Sequence, residues 1–161
     1  MPDAMTYTYV PGQPQTGRSG APEVVLDFAP NPAWNPPTMT SEALTGLRGR
    51  LWIDKESHRM VRLDAELFQG VNFGFGMIAH IFPGGHLLLD QSNIPTTGPN
   101  QAAQRWIFSH FVEHVTVRAL MIKTVKQNVE IGASDFQIVP AMSYQDAIKT
   151  LLQTPLPTHV P

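Results

Sequence analysis

Alternation of apolar and polar side chains between residues 49 and 85 most constrains what this chain can fold into. Two apolar sets recur at every second position: Val61, Leu63, Ala65 and Leu67, then Val71, Phe73, Phe75, Met77, Ala79 and Ile81. A period of two places each set on one face of a pleated strand. The stretch therefore predicts two long strands, residues 59–68 and 71–82, that share one apolar face.

Short connections between the predicted strands favour antiparallel neighbours. Further strands are predicted where β-branched and aromatic residues are dense, namely residues 5–10, 23–28, 48–54, 86–91, 120–131 and 136–139. Residues 101–115 fit both helical and alternating spacing, and we favour a strand from Trp106 or Ile107 onwards. Together these segments predict a mainly β (α+β) fold built on an up-and-down antiparallel sheet.

Proline marks the borders of this sheet, because it cannot donate a ladder hydrogen bond. The chain has 15 prolines in 161 residues, concentrated before residue 40 and after residue 139. We expect one domain over 1–161, with Pro-rich strands and a crossover loop over 1–46, a core sheet over 47–139 and a helix over 143–153. Residues 41–47 fit one helical turn. Ser143 is the expected cap of the C-terminal helix, which is the one convincing helical cover for the apolar face.

Composition narrows the possible functions. The formal net charge is −2, so there is no basic excess of the kind that accompanies nucleic-acid binding. The absence of cysteine excludes disulfides, thiolate metal sites and a cysteine nucleophile. No apolar run approaches the ~20 residues of a membrane helix, so no integral membrane segment is expected. The first residues also lack the basic and apolar regions of a signal peptide.

The sharpest chemical motif is His110-Phe111-Val112-Glu113-His114, which matches the H-x-x-E-H zinc signature. On a helix, His110 and His114 share a face and can hold one zinc ion, with Glu113 as the base. On a strand, residues four apart are separated by about 13 Å, and Glu113 lies on the opposite face. A zinc hydrolase on these residues is therefore kept as an alternative, and no metal site is predicted.

No other pattern indicates catalysis. Gly74-Phe75-Gly76 lacks the following helix and the Lys-Ser/Thr end of a phosphate loop. Asp54 and Glu56 flank a predicted turn, and Asp64 and Glu66 lie on the polar face near Arg59 and Arg62, where cross-strand charge pairing explains them. We therefore expect no catalytic residue, no cofactor and no enzymatic activity.

The apolar strand face is the main functional candidate, because a sheet must bury such a face against something. The predicted ligand-binding residues are Leu63, Leu67, Phe73, Phe75 and Met77. The face can be covered by the chain's own curvature, by a second subunit, by a further N-terminal segment or by an apolar ligand. A homodimeric structural module therefore remains a further alternative.

The segment Leu47-x-Gly49-x-Leu51-Trp52-Ile53-Asp54, followed by Arg59-Met60-Val61-Arg62-Leu63, resembles outer-membrane lipoprotein-sorting and periplasmic lipoprotein-carrier-like proteins and their uncharacterised secreted bacterial relatives. Val71-x-Phe73-Gly74-x-Gly76, Trp106, Ala119-Leu120, Lys123 and Asp135-Phe136 fit the same layout, and the resemblance covers about residues 23–153. It implies a strongly curved antiparallel half-barrel whose concave face holds a lipid, an acyl chain or a lipidated partner. It also implies export to the periplasm or cell envelope. The resemblance transfers no catalytic residue.

Overall fold

The computed structural model describes residues 2–17, 20–94, 105–136 and 140–155, and its main element is one open antiparallel sheet. The strands within these residues are β1 (Met5–Tyr9), β2 (Gln15–Thr16), β3 (Pro22–Pro30), β4 (Leu47–Asp54), β5 (Met60–Leu67), β6 (Val71–Phe73), β7 (Ala79–Ile81), β8 (His86–Ile94), β9 (Arg105–Ala119) and β10 (Lys123–Gly132). Two 3-10 helices, Pro2–Ala4 and Thr40–Gly46, and the helix α1 (Tyr144–Gln153) complete the regular structure of the described residues. The predicted mainly β class with a short C-terminal helix is confirmed.

Neighbouring strands follow the order β1, β3, β4, β5, β8 and β9. Of the predicted meander, β4 and β5 are neighbours as expected, whereas β5 is followed in the sheet by β8. The long strand β9 organises the far side of the sheet. Its residues 105–114 pair with β8, whereas residues 117–119 pair with β7 on the same edge. The opposite edge of β9 pairs with β10. The hairpin of β6 and β7 therefore lies beside the end of β9, next to the turn that leads into β10.

Alternation gives the central strands one apolar and one polar face. Leu51 lies opposite Leu63, and Trp52 lies opposite Arg62. A shift of register beside Trp52 then pairs Ile53 with Met60, so Met60 packs against the core. The core on the apolar face consists of Ala4, Met5, Phe28, Leu63 and Ala65, with Trp34, Leu44, Leu47, Leu51, Met60, Leu87 and Leu89 packed against it.

The cover of this core differs from the expected one. The N-terminal residues Ala4 and Met5 and the Pro-rich connection with Trp34 and Leu44 supply it. The helix α1 has no buried residue, and its apolar side chains Leu151 and Leu152 are exposed. Its predicted start is confirmed, because the Ser143 hydroxyl accepts a hydrogen bond from the Asp146 amide at 3.2 Å.

The prediction of one strand over 71–82 is wrong. The chain forms two three-residue strands, β6 and β7, that pair with each other across a turn at residues 74–78. Nor does this segment lie beside β5, whose neighbours are β4 and β8. Local alternation persists through glycine-containing turns, so a period of two did not by itself establish a continuous strand.

The ambiguous segment before residue 115 is a strand, as favoured, since β9 runs from Arg105 to Ala119. The predicted strand over 120–131 begins instead at Lys123, and Leu120–Ile122 form a turn. Phe136 belongs to no strand, and residues 137–139 of that predicted segment lie outside the described residues. Among the described helices, none has the length and apolar character needed to span a membrane.

Candidate functional site

The five predicted ligand-binding residues do not form one face. Leu63 and Leu67 are only 7% and 8% exposed, because the chain itself covers them. Phe73 is half-buried in β6. Phe75 and Met77 lie in the turn after β6 and are 97% and 61% exposed. The structure therefore divides the predicted set into buried residues and residues that are free to make contacts.

The turn between β6 and β7 forms because its backbone enters the left-handed region. The φ angles are 56° at Gly74, 57° at Phe75 and 81° at Gly76. The amides of Gly76 and Ile78 donate hydrogen bonds to the Phe73 carbonyl at 3.1 and 3.3 Å. This geometry places the Phe75 side chain in solvent.

The backbone of the turn between β9 and β10 also enters the left-handed region, although this turn contains no glycine. Leu120 and Met121 have φ angles of 48° and 58°, and the Ile122 amide donates to the Ala119 carbonyl at 3.1 Å. Two central residues with positive φ are the mark of a type I′ turn, in which Asn-Gly is strongly preferred. Here the two positions hold large apolar side chains, and Ile122 beside them is 88% exposed.

A hydrogen bond joins the two turns into one surface. The Leu120 amide donates to the Ile78 carbonyl at 2.9 Å, and the strands behind the turns pair Ala79 with Ala119. We call this surface the apolar tip. It consists of Phe75, Met77, Ile78, Leu120, Met121 and Ile122, all of which are exposed.

The backbone of the apolar tip is strained. A left-handed conformation costs a residue with a β-carbon roughly 1–2 kcal/mol, and Phe75, Leu120 and Met121 all adopt it. Bulky residues with positive φ are uncommon and concentrate at ligand clamps and other functional sites. Neither the strain nor the exposure of these side chains benefits folding, so the tip is the strongest candidate for a binding surface.

The polar face of the sheet holds a second candidate, a cavity of about 730 Å³. Its lining includes Trp52, Arg62, Asp64, Asp90, Trp106 and Ser109. Arg62 forms long ion pairs of 3.5 Å with both Asp64 and Asp90. His110 lies 3.6 Å from Asp90 and 3.2 Å from Glu130. Arg62 pairs with Asp64 within β5 and with Asp90 across to β8, while His110 joins Asp90 to Glu130, so these charges form a connected network that links β5, β8, β9 and β10.

The zinc hypothesis lacks the helix on which its geometry depends. His110 and His114 lie in β9, which separates residues four apart by about 13 Å. Register also places them opposite Asp90 and His86, whereas Glu113 alternates to the other face. The described residues contain no group of three or more potential metal ligands. One zinc ion with bonds of about 2 Å cannot join both histidines in this arrangement.

The shifted pKa values lie away from the apolar tip. A hydrogen bond from Arg50 lowers the pKa of Asp27 on the polar face. Hydrogen bonds from the Ser57 hydroxyl and amide, both 2.6 Å long, lower the pKa of Asp54 in the turn after β4. The Arg50–Asp27 pair joins β4 to β3, and the hydrogen bonds between Ser57 and Asp54 hold the turn after β4. Neither carboxyl group is therefore marked as a catalytic acid or base.

The sequence predicts two of the six residues of the apolar tip as ligand-binding, Phe75 and Met77, although on a strand. It does not single out Ile78, Leu120, Met121 or Ile122. Leu120, Met121 and Ile122 were assigned to a strand because no glycine, proline or asparagine marks their turn. No local signal distinguishes this turn, because the equally apolar run Trp106-Ile107-Phe108 lies within β9.

Comparisons of this chain with protein-family models, with curated proteins and with solved structures find no match. Its function must therefore be argued from the arrangement of its own residues.

Proposed function

We propose that this protein is a non-enzymatic binding module whose apolar tip contacts lipid, an acyl chain or a lipidated partner. The observation that most supports this proposal is that two turns joined by a hydrogen bond expose six large apolar side chains. A contiguous apolar patch on a soluble surface commonly marks an interaction site. A location in the cell envelope, which rests on the sequence resemblance, is part of the same proposal.

Binding at the tip requires no chemical step. Each large apolar side chain that moves fully out of water contributes about 1.5–3 kcal/mol. Phe75 and Ile122, at 97% and 88% exposure, have the most surface to transfer. The turns are already formed by backbone hydrogen bonds, so little conformational entropy opposes the transfer.

In this proposal the binding surface is the apolar tip and not the apolar strand face that the sequence predicts. Leu63 and Leu67 are covered by the protein's own core and are not available to a ligand without rearrangement. Phe75 and Met77 keep the role predicted for them and gain Leu120, Met121 and Ile122 as neighbours.

Co-sedimentation with uncharged phosphatidylcholine vesicles tests the proposal. The parent protein is expected to partition onto the vesicles, and the double variant Phe75→Ser/Ile122→Ser to bind at least tenfold more weakly, because two large apolar side chains no longer leave water. The matched control is Tyr9→Ser/Phe108→Ser, which removes two side chains that are 72% and 59% exposed elsewhere on the sheet.

Circular dichroism and thermal melting of each variant report whether it has folded. The proposal predicts that the control variant binds like the parent. It is contradicted if the parent does not bind at any lipid concentration, or if the folded tip variant binds as well as the parent.

A further inference from the structure

Basic side chains surround the apolar tip. Residues 71–82 and 115–127, which form the two hairpin ends, include Arg118, Lys123 and Lys126 but no aspartate or glutamate. The nearest acidic residues along these strands are Glu113 and Glu130. These two segments therefore carry a net positive charge, whereas the whole chain has a formal net charge of −2.

The two lysines lie on opposite faces of the hairpin. Lys123 pairs with Ala119, and Lys126 pairs with Thr116, so their odd spacing directs them to different sides. Both are exposed. Arg118 lies on the face of Lys126 and is half-buried: its guanidinium carbon lies 5.5 Å from the centre of the Phe82 ring, and its Nε is buried. Positive charge therefore flanks the tip on both sides.

Basic residues follow the apolar tip directly along β10. Lys123 comes immediately after Ile122, and Lys126 follows Lys123 by three strand positions, about 10 Å. Apolar groups of interfacial proteins enter about 5–10 Å into the boundary between head groups and acyl chains. Lysine stems can lie along apolar surface while their ammonium groups stay among the head groups.

We infer that the apolar tip inserts into the interfacial layer of an anionic lipid bilayer, with Lys123 and Lys126 contacting the phosphate head groups. This inference rests on the proposed function and specifies its ligand. A second copy of the chain fits less well, because tip-to-tip contact brings like charges together without any acidic residue to pair with them. An anionic bilayer complements both sets of residues, because its acyl chains accept the apolar side chains and its phosphate groups attract the basic ones.

Binding to vesicles with and without anionic phosphatidylglycerol tests the inference. The parent is expected to bind anionic vesicles more tightly, and Lys123→Gln/Lys126→Gln to lose about 25-fold there, about fivefold for each lysine. The same variant should bind neutral vesicles like the parent. The control Lys55→Gln/Lys149→Gln removes two exposed lysines elsewhere and should bind both vesicles like the parent.

Salt separates this electrostatic contribution from the apolar one. Raising the ionic strength to about 1 M shortens the Debye length to about 3 Å and should remove the anionic preference while tip-dependent binding persists.

Equal binding of the lysine variant and the parent to anionic vesicles overturns the inference. So does light scattering that shows a parent dimer lost in Phe75→Ser/Ile122→Ser, without vesicle binding by either protein. The two failures are distinguishable, because the proposed function is judged on neutral vesicles and the inference on the additional affinity for anionic ones.

Discussion

The same residue types occupy opposite environments in the central sheet and at the apolar tip. Phe28 is 4% exposed and Phe75 is 97% exposed; Met5 and Met77 are 4% and 61% exposed. Likewise, Leu63 is 7% exposed and Leu120 is 67% exposed. Apolar side chains in the centre stabilise the fold, whereas those at the tip are left in water on a strained backbone. The contrast separates residues that maintain the structure from residues that we propose to bind.

The largest expected difference is between Phe28 and Phe75. Phe28→Ala should lower the free energy of unfolding by about 3–5 kcal/mol, because it leaves a cavity in the core. Phe75→Ala should change it by no more than about 0.5 kcal/mol, as expected for a surface site. Urea denaturation measures both. A large loss of stability in Phe75→Ala would show that the tip is part of the core.

Glycine gives a second comparison, between the packed strand β4 and the open far end of β10. A β-carbon at Gly49 in β4 would collide with the backbone of Asp64 and Ala65, so Gly49→Ala should cost about 1–3 kcal/mol of stability. At Gly132 in β10, a β-carbon meets nothing within 4 Å. Gly132→Ala should therefore be neutral within about 0.5 kcal/mol. Equal losses of stability in the two variants would contradict the difference in packing.

The turn after β9 tests whether stability and binding oppose each other. Leu120→Asn/Met121→Gly installs the residues that a type I′ turn prefers. Relief of two left-handed apolar residues should raise the free energy of unfolding by about 1–2 kcal/mol. Vesicle affinity should fall at least tenfold, because two apolar side chains are removed. A variant that loses stability, or that keeps full affinity, argues against a strained binding turn.

The turn after β4, for which no role in binding is proposed, is held by side-chain hydrogen bonds. Asp54 accepts hydrogen bonds from Ser57, and these lower its pKa, so their stabilisation is present above the ordinary carboxyl pKa of about 4. It is lost as the pH falls through the lowered pKa in the folded protein.

Ser57→Ala removes the hydroxyl hydrogen bond and should lower the free energy of unfolding at pH 7 by about 0.5–1 kcal/mol. The difference from the parent should shrink towards zero as the pH is lowered to about 2. Urea titrations at several pH values measure it. A difference that grows in acid would contradict this role of the Asp54 carboxylate.

The sequence predicted an element correctly where its local pattern, such as strand alternation or a capping residue, agrees with how the rest of the chain packs around it. Strand β5 alternates from Val61 to Leu67, and Ser143 caps α1 through its hydroxyl as expected. Residues 71–82 failed because alternation is preserved through Gly74 and Gly76, whose positive φ angles reverse the chain. The exposure of Leu120 and Ile122 depends on which strands lie nearby, and no local pattern contains that information.

The most direct measurement of the central claim is depth labelling of the cysteine-free chain. Ile122→Cys at the tip and Tyr9→Cys in the edge strand β1 replace residues that are 88% and 72% exposed, and each carries an environment-sensitive fluorophore. With anionic vesicles, the label at residue 122 should shift to shorter wavelength and become protected from aqueous iodide, while the label at residue 9 should not change. Protection at neither position, or equally at both, would contradict binding through the apolar tip.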